Sequence, residues 1–273
     1  YRTLAKYGYY NDGHMIAQWD AIDNQGTGTH DAAATTWVDL IGGVEFALTG
    51  ATWKDFSLSL SGSSPGGVAT GATFLNYTAE NKNRTVEIVY RYASAPSGYS
   101  ILLMGSSSAG VAIGWLSASS TIASSQSSNT LPGLPVGTVS TLSYGYEGQT
   151  AKTGSTFHDG EAVAKQTGKN NWGSSDSNVY LGKRSSGNNF KGEIFAVRVY
   201  NRLLTPEEVA ANRAADVARF GYALAATVSA GSVTVSDPAV VIGGNVYVPE
   251  GSTELPIASA TDATIQLKDF ITS

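Results

Sequence analysis

The chain has 273 residues, a net charge of −5 and no cysteine; 42% of it is hydrophobic and only 14% is charged. That is enough apolar material for a sizeable core and too little charge for long solvated helices, which argues against an all-α fold and against intrinsic disorder. Thiolate catalysis, Cys-based zinc sites and disulfides are excluded, and the lack of any Lys/Arg cluster argues against nucleic acid as a partner.

No apolar run approaches the ~20 residues of a membrane span, so no membrane insertion is expected. The chain starts at Tyr1 and not at Met, which reads as a processed product or an excised fragment. The opening stretch carries Tyr1, Tyr7, Tyr9 and Tyr10, expected to pack along an outer strand; a contact surface for a preceding domain is the alternative. Next, Asp20, Asp23, Asn24 and Asp31 form the densest group of oxygen ligands, in a loop leaving the first strand. Calcium takes six to eight hard oxygens and tolerates irregular loops, so these four are the candidate metal ligands and Ca²⁺ the one candidate cofactor. The competing role for such residues is an Asx-turn to their own backbone.

Further along, period-2 patterns dominate. Val86, Ile88, Tyr90 and Tyr92 fall on one face of a strand, with Glu87 and Arg91 on the other. Residues 106–128 are Ser-rich but punctuated by Val111, Ile113, Trp115, Leu116 and Ile122, which reads as strands joined by polar turns. Leu142, Tyr144 and Tyr146 share a face, and Asp159-Gly160 is a strong hairpin signal. Phe195, Val197 and Val199 are expected to alternate against Ile194, Arg198 and Tyr200 in a strand covered on both sides. One helix follows, with Thr205 as N-cap, Pro206 at its first position, Glu208 closing the capping box, and Gly221 at its end. Residues 223–273 are β-patterned and carry Pro238, Pro249 and Pro256; they read as a β-rich tail or the start of a second small β module.

Three stretches in order resemble laminin-G-like members of the concanavalin A-like lectin/glucanase superfamily, of the type found in bacterial surface proteins. They are the W-x-D-L-x-G turn at Trp37, Asp39, Leu40 and Gly42; the hairpin around Asp159-Gly160, where His158 stands in place of the family's usual Val or Ile; and "FKGEIFAVRVYNRLLTPEE" near the end. The resemblance covers about residues 10–222. It implies an all-β jelly-roll sandwich of two antiparallel sheets over 1–222, with one short C-terminal helix ahead of the tail. The fold itself hosts lectins, adhesion modules, glycosidases and spacers.

Glycoside cleavage of the retaining kind needs two carboxyl groups about 5–5.5 Å apart. Glu87 and Glu193 are each alone in their strands, and Glu207 and Glu208 belong to the helix start, so no catalytic residues are expected. His14, His30 and His158 have no ligand spacing, and no G-x-S-x-G elbow exists. For sugar binding, aromatic side chains among amides and hydroxyls are the requirement. Trp19 and Trp37 are expected in the core, while Trp53 and Trp115 are ambiguous. Trp172 stands in a strongly polar loop with Asn170, Asn171 and Asp176, the candidate ligand-binding set; the alternative is a loop pinned to a sheet edge by that tryptophan. The reading is a non-catalytic glycan-binding or adhesion module of a secreted or cell-surface bacterial protein, with a glycan or surface polysaccharide and neighbouring domains as partners. The alternatives are a structural spacer or protein-interaction module, or an ancillary domain of a larger glycoside hydrolase.

Overall fold

A computed structural model of the chain describes residues 13–54, 56–63, 66–76, 83–96, 98–105, 112–117, 120–124, 127–130, 136–148, 153–166, 177–183 and 189–221, together with five short strands between 226 and 256. The chain divides into two compact units, residues 1–213 and 214–273.

The first unit is built from two eight-stranded antiparallel sheets. In sheet one the order is β14 (Glu161–Gln166), β13 (Thr153–His158), β12 (Ser140–Glu147), β7 (Arg84–Tyr92), β16 (Lys191–Tyr200), β5 (Ser57–Ser61) and β4 (Thr52–Lys54). The eighth strand, β1 (Met15–Asp20), lies beside β16 over residues 196–200, while β5 takes 191–194. Sheet two runs β11 (Ser127–Thr130), β10 (Ser120–Ser124), β9 (Ala112–Ser117), β8 (Ser100–Gly105), β15 (Asn178–Leu181), β6 (Gly66–Thr70), β3 (Glu45–Thr49) and β2 (Thr36–Val38). This is the two-layer jelly-roll sandwich that the motifs imply, and the Ser-rich stretch does form strands.

The alternating residues supply the core. Val86, Ile88, Tyr90 and Tyr92 of β7 and Leu142, Tyr144 and Tyr146 of β12 are buried against Phe46, Leu103, Ile113 and Trp115 of sheet two. Each fully buried side chain of this size contributes about 1.5–3 kcal/mol. All four described tryptophans satisfy their indole N–H: Trp19 donates to the Trp37 carbonyl (3.1 Å), Trp37 to that of Asp20 (3.1 Å), Trp53 to that of Ala34 (2.8 Å) and Trp115 to the Tyr90 hydroxyl (3.0 Å). Trp53 and Trp115, ambiguous in sequence, are therefore core anchors.

One alternation is corrected. A β-bulge between Ile194 and Ala196 shifts the register of β16 against β7, and a single extra residue flips the phase of a strand. Ile194 consequently joins Val197 and Val199 in the core, and Phe195 lies under the Arg91 guanidinium, 5.9 Å from its ring centroid.

The hairpin between β13 and β14 turns through Asp159 (φ 51°) and Gly160 (φ 87°), the two positive values a type I′ turn requires. Helix α1 (Pro206–Asp216) has its capping box in place: the Thr205 amide donates to Glu208 Oε2 at 2.8 Å, and the Glu208 amide to Thr205 Oγ1 at 3.3 Å. A π-helical turn, Val217–Gly221, follows it.

In the second unit β17 (Ala226–Ser229), β18 (Ser232–Val235) and β21 (Glu254–Pro256) form a three-stranded antiparallel sheet. β19 (Val240–Ile242) pairs with β20 (Asn245–Tyr247).

Candidate functional site

The start of β16 organises one end of sheet one. Phe190 is fully buried against the Tyr92 ring, with centroids 4.7 Å apart. A Cβ at Gly192 would stand 2.1 Å from the carbonyl oxygen of Arg91, so glycine is what allows β16 to close on β7 here. Between these two fixed points Lys191 is held exposed at the rim.

Two clefts meet at Lys191. The first, about 240 Å³, lies on the outer face of sheet one, where strand pairing aligns Ser59, Glu193 and Arg91. Glu193 has a side chain only 7% exposed, and both Lys54 and Arg91 make salt bridges to its carboxylate. The second cleft, about 300 Å³, is lined by Ser94, Pro96, Tyr99, Ser100, Asn189 and Lys191, among others. Its floor is Tyr92, whose hydroxyl donates to the Ser100 carbonyl at 3.3 Å; burial pushes that phenol's pKa well up, so it stays a donor. Tyr99 is 50% exposed. Val136, the other large exposed hydrophobic among the described residues, pairs in a bridge with Tyr92 at the same end.

Glu87, on the neighbouring strand β7, is differently placed. Glu87 is fully buried: Oε2 accepts from Arg198 Nε (3.0 Å) and Asn212 Nδ2 (2.7 Å), and Oε1 from Ser143 Oγ (3.0 Å). Asn212 also donates to the Tyr200 hydroxyl at 2.9 Å, so this carboxylate anchors helix α1 to the sheet. Glu87 pairs with Arg198 and Glu193 with Arg91, four residues apart along β7. That spacing is about 13 Å of strand, beyond the ~5–9.5 Å at which two carboxyls share a glycosidic bond.

The expected ligand set Trp172, Asn170, Asn171 and Asp176 lies outside the described residues. The candidate calcium ligands are described, and one carboxylate oxygen of each aspartate accepts from the loop's own backbone. Asp20 Oδ1 accepts from the amides of Ile22 (2.8 Å) and Asp23 (3.2 Å), Asp23 Oδ1 from Gly28 (2.8 Å), and Asp31 Oδ1 from Ala33 (2.9 Å). Asn24 clasps the backbone of Asp31 at both ends of its amide, 2.8 and 2.9 Å. These are Asx-type contacts, and among the described residues no three metal-binding side chains converge.

The histidines are dispersed. His14 bonds Asn201 Oδ1 (2.8 Å), and His30 bonds the Ala21 carbonyl (2.7 Å) with its ring edge-on to Trp53. His158 Nε2 meets the Tyr90 hydroxyl at 3.3 Å, edge-on to Trp115. Burial lowers the His158 pKa, with Arg213 lowering it further and Asp159 opposing.

Sequence reasoning did not single out Tyr99 or Lys191. The available signals were a tyrosine straight after the sequence Pro96-Ser97-Gly98, and the one residue between Phe190 and Gly192 of the closing motif.

A family model for the concanavalin A-like lectin/glucanases superfamily matches residues 49–210. It takes in the hairpin and the closing motif and begins after the Trp37 turn. No curated protein matches. Among solved structures, the chain is similar to Trypanosoma rangeli sialidase in complex with sialic acid, at 17% identity and a TM-score of 0.57, covering 74% of this chain. It spans 33% of that sialidase's length. It is also similar to domain 4 of AbnA, a GH43 extracellular arabinanase from Geobacillus stearothermophilus, in complex with arabinotriose (16% identity, TM-score 0.50, 72% of this chain and 96% of that one). A third likeness is to the binding domain of botulinum neurotoxin serotype D/C (12% identity, TM-score 0.51, 72% and 51%). With more than half of its length matched by the family model, the chain belongs to the concanavalin A-like lectin/glucanases superfamily.

Proposed function

We propose that this chain is a non-catalytic glycan-binding module of a secreted or cell-surface bacterial protein. The observation that carries the reading is the Tyr99 cleft: a half-exposed aromatic ring beside Ser94, Ser100 and Asn189. Sugar rings present apolar C–H faces to such a ring and hydroxyls to its polar neighbours. The non-catalytic part rests on Glu87 and Glu193, the acids of the neighbouring strands β7 and β16. Glu87 is neutralised by Arg198 and Glu193 by Lys54 and Arg91, and the two acids stand too far apart along the ladder to act together.

A second reading is an ancillary domain of a larger glycoside hydrolase. Its support is the likeness to AbnA domain 4, a part of an arabinanase that is matched over 96% of its length. In both readings the chain holds a saccharide and leaves cleavage to something else.

The test is a glycan array on the purified chain, followed by fluorescence titration of each hit, with a reducing-end assay on the same glycans. Binding without new reducing ends is the expected result. Tyr99→Ala and Trp172→Ala then locate the site, in the described cleft or in the polar loop. A chain that binds no glycan is a spacer or a protein-interaction module, and new reducing ends would make it an enzyme.

A further inference from the structure

The two clefts that meet at Lys191 differ in character. One offers a tyrosine ring and hydroxyls, the other is cationic. Lys54, Arg91 and Lys191 face a single carboxylate, Glu193, on a chain whose overall charge is −5. An ammonium has three N–H donors and a guanidinium five, so one carboxylate leaves most of them free. Arg91 is held by Glu193 on one side and Phe195 on the other, which fixes its plane without exhausting its donors. Among the described residues Lys191 makes no ion pair, and its backbone is pinned between Phe190 and Gly192.

We propose that the clefts form one continuous site for an anionic oligosaccharide. One sugar ring lies on Tyr99, and the carboxylate or sulfate of the next sits among Lys191, Arg91 and Lys54. The proposal rests on the glycan-binding reading and deepens it. Glu193 then has a positioning role: its two salt bridges hold Lys54 and Arg91 in place, while Ser59 and Ser61, in the cleft lining, supply hydroxyls to the sugar.

The test is calorimetric titration of the whole chain with a short oligogalacturonate, a heparin-derived oligosaccharide and, as neutral control, dextran. The first two probes separate a carboxylate ligand from a sulfate ligand. Binding of either, with dextran at least tenfold weaker, is expected. Raising salt from about 50 to about 300 mM shortens the screening length and should weaken that binding severalfold. Lys191→Glu should lose at least tenfold and Lys191→Gln about threefold. Tyr99→Ala should lose threefold to tenfold, the range of an aromatic contact. Unchanged melting temperatures will show that these surface variants fold. Equal affinity for dextran, or anionic binding that ignores both positions, overturns the inference while leaving the glycan-binding reading in place. No binding to any glycan, on the array or here, overturns both.

Discussion

Arg198 and Glu87 face each other across the β7–β16 ladder with Nε and Oε2 3.0 Å apart, and neither side chain has any exposed surface. Asn212 completes the shell from the helix. A carboxylate in this position is structural: no substrate reaches it, and its charge is tolerated only because every oxygen has a donor.

Removing one member therefore strands the other. Arg198→Met should cost about 3–5 kcal/mol, read in urea unfolding as a lower midpoint at unchanged slope. The double variant Glu87→Met/Arg198→Met should recover much of that loss, since no buried charge is left alone. A loss that is merely additive would contradict this assignment.

His158 makes stability depend on pH. Trp115 donates to the Tyr90 oxygen, and that hydroxyl in turn lies 3.3 Å from Nε2 of His158. Burial, the largest cause, and Arg213 lower its folded pKa, whereas in the unfolded chain the imidazole titrates near its ordinary value of about 6.5. As pH falls through that value the unfolded state takes a proton that the folded state refuses, so stability declines below it and is flat above. His158→Gln retains an acceptor and removes the titration. Its melting temperature should fall less than the wild type's between about pH 7 and pH 5.

The loop from Asp20 to Asp31 is held by its own backbone hydrogen bonds. Asn24→Ala breaks both links to Asp31 and should cost about 1–3 kcal/mol, two net hydrogen bonds in a loop that is partly buried. Adding Ca²⁺ after EDTA treatment should leave the melting temperature where it was. A rise with calcium would mean that the loop rearranges into a cage, because a ligand of the folded state must stabilise it.

Gly192→Ala tests the architecture of the rim. Its new methyl carbon meets the Arg91 carbonyl at 2.1 Å and the Phe190 ring at 2.7 Å, so β16 must pull away from β7. We expect a loss of about 1–3 kcal/mol, the usual cost of forcing an extra methyl into a packed site. Glycan affinity should drop with it, since Lys191 moves too.

Much of the fold was readable from spacing alone. Period-2 alternation located β7 and β12 and assigned their inward faces, the Asp159-Gly160 pair located a type I′ turn, and Thr205 with Glu208 located the helix start. In β16 the alternation holds from Val197 to Tyr200 but exchanges Ile194 and Phe195, because the bulge between them and Val197 leaves no mark on an apolar run. Trp53 and Trp115 were undecided for a related reason, since an indole serves a core or a surface and only its neighbours in space decide. The candidate site was the least legible part. Arg91, Lys191 and Glu193 lie on two strands about a hundred residues apart, and strand register, which no local pattern encodes, brings them together with Tyr99 and Lys54. The calcium expectation comes from counting oxygens, and composition does not say which oxygens point at a common centre and which cap their own turns, as Oδ1 of Asp20, Asp23 and Asp31 does.

The most direct measurement is a matched pair of assays on one preparation: calorimetric titration with the array's best glycan, and reducing-end release from that same glycan. The account predicts a saturable heat that Tyr99→Ala diminishes, with no release over the spontaneous rate. Release of reducing ends, or a titration that shows no heat with any array hit, would contradict it.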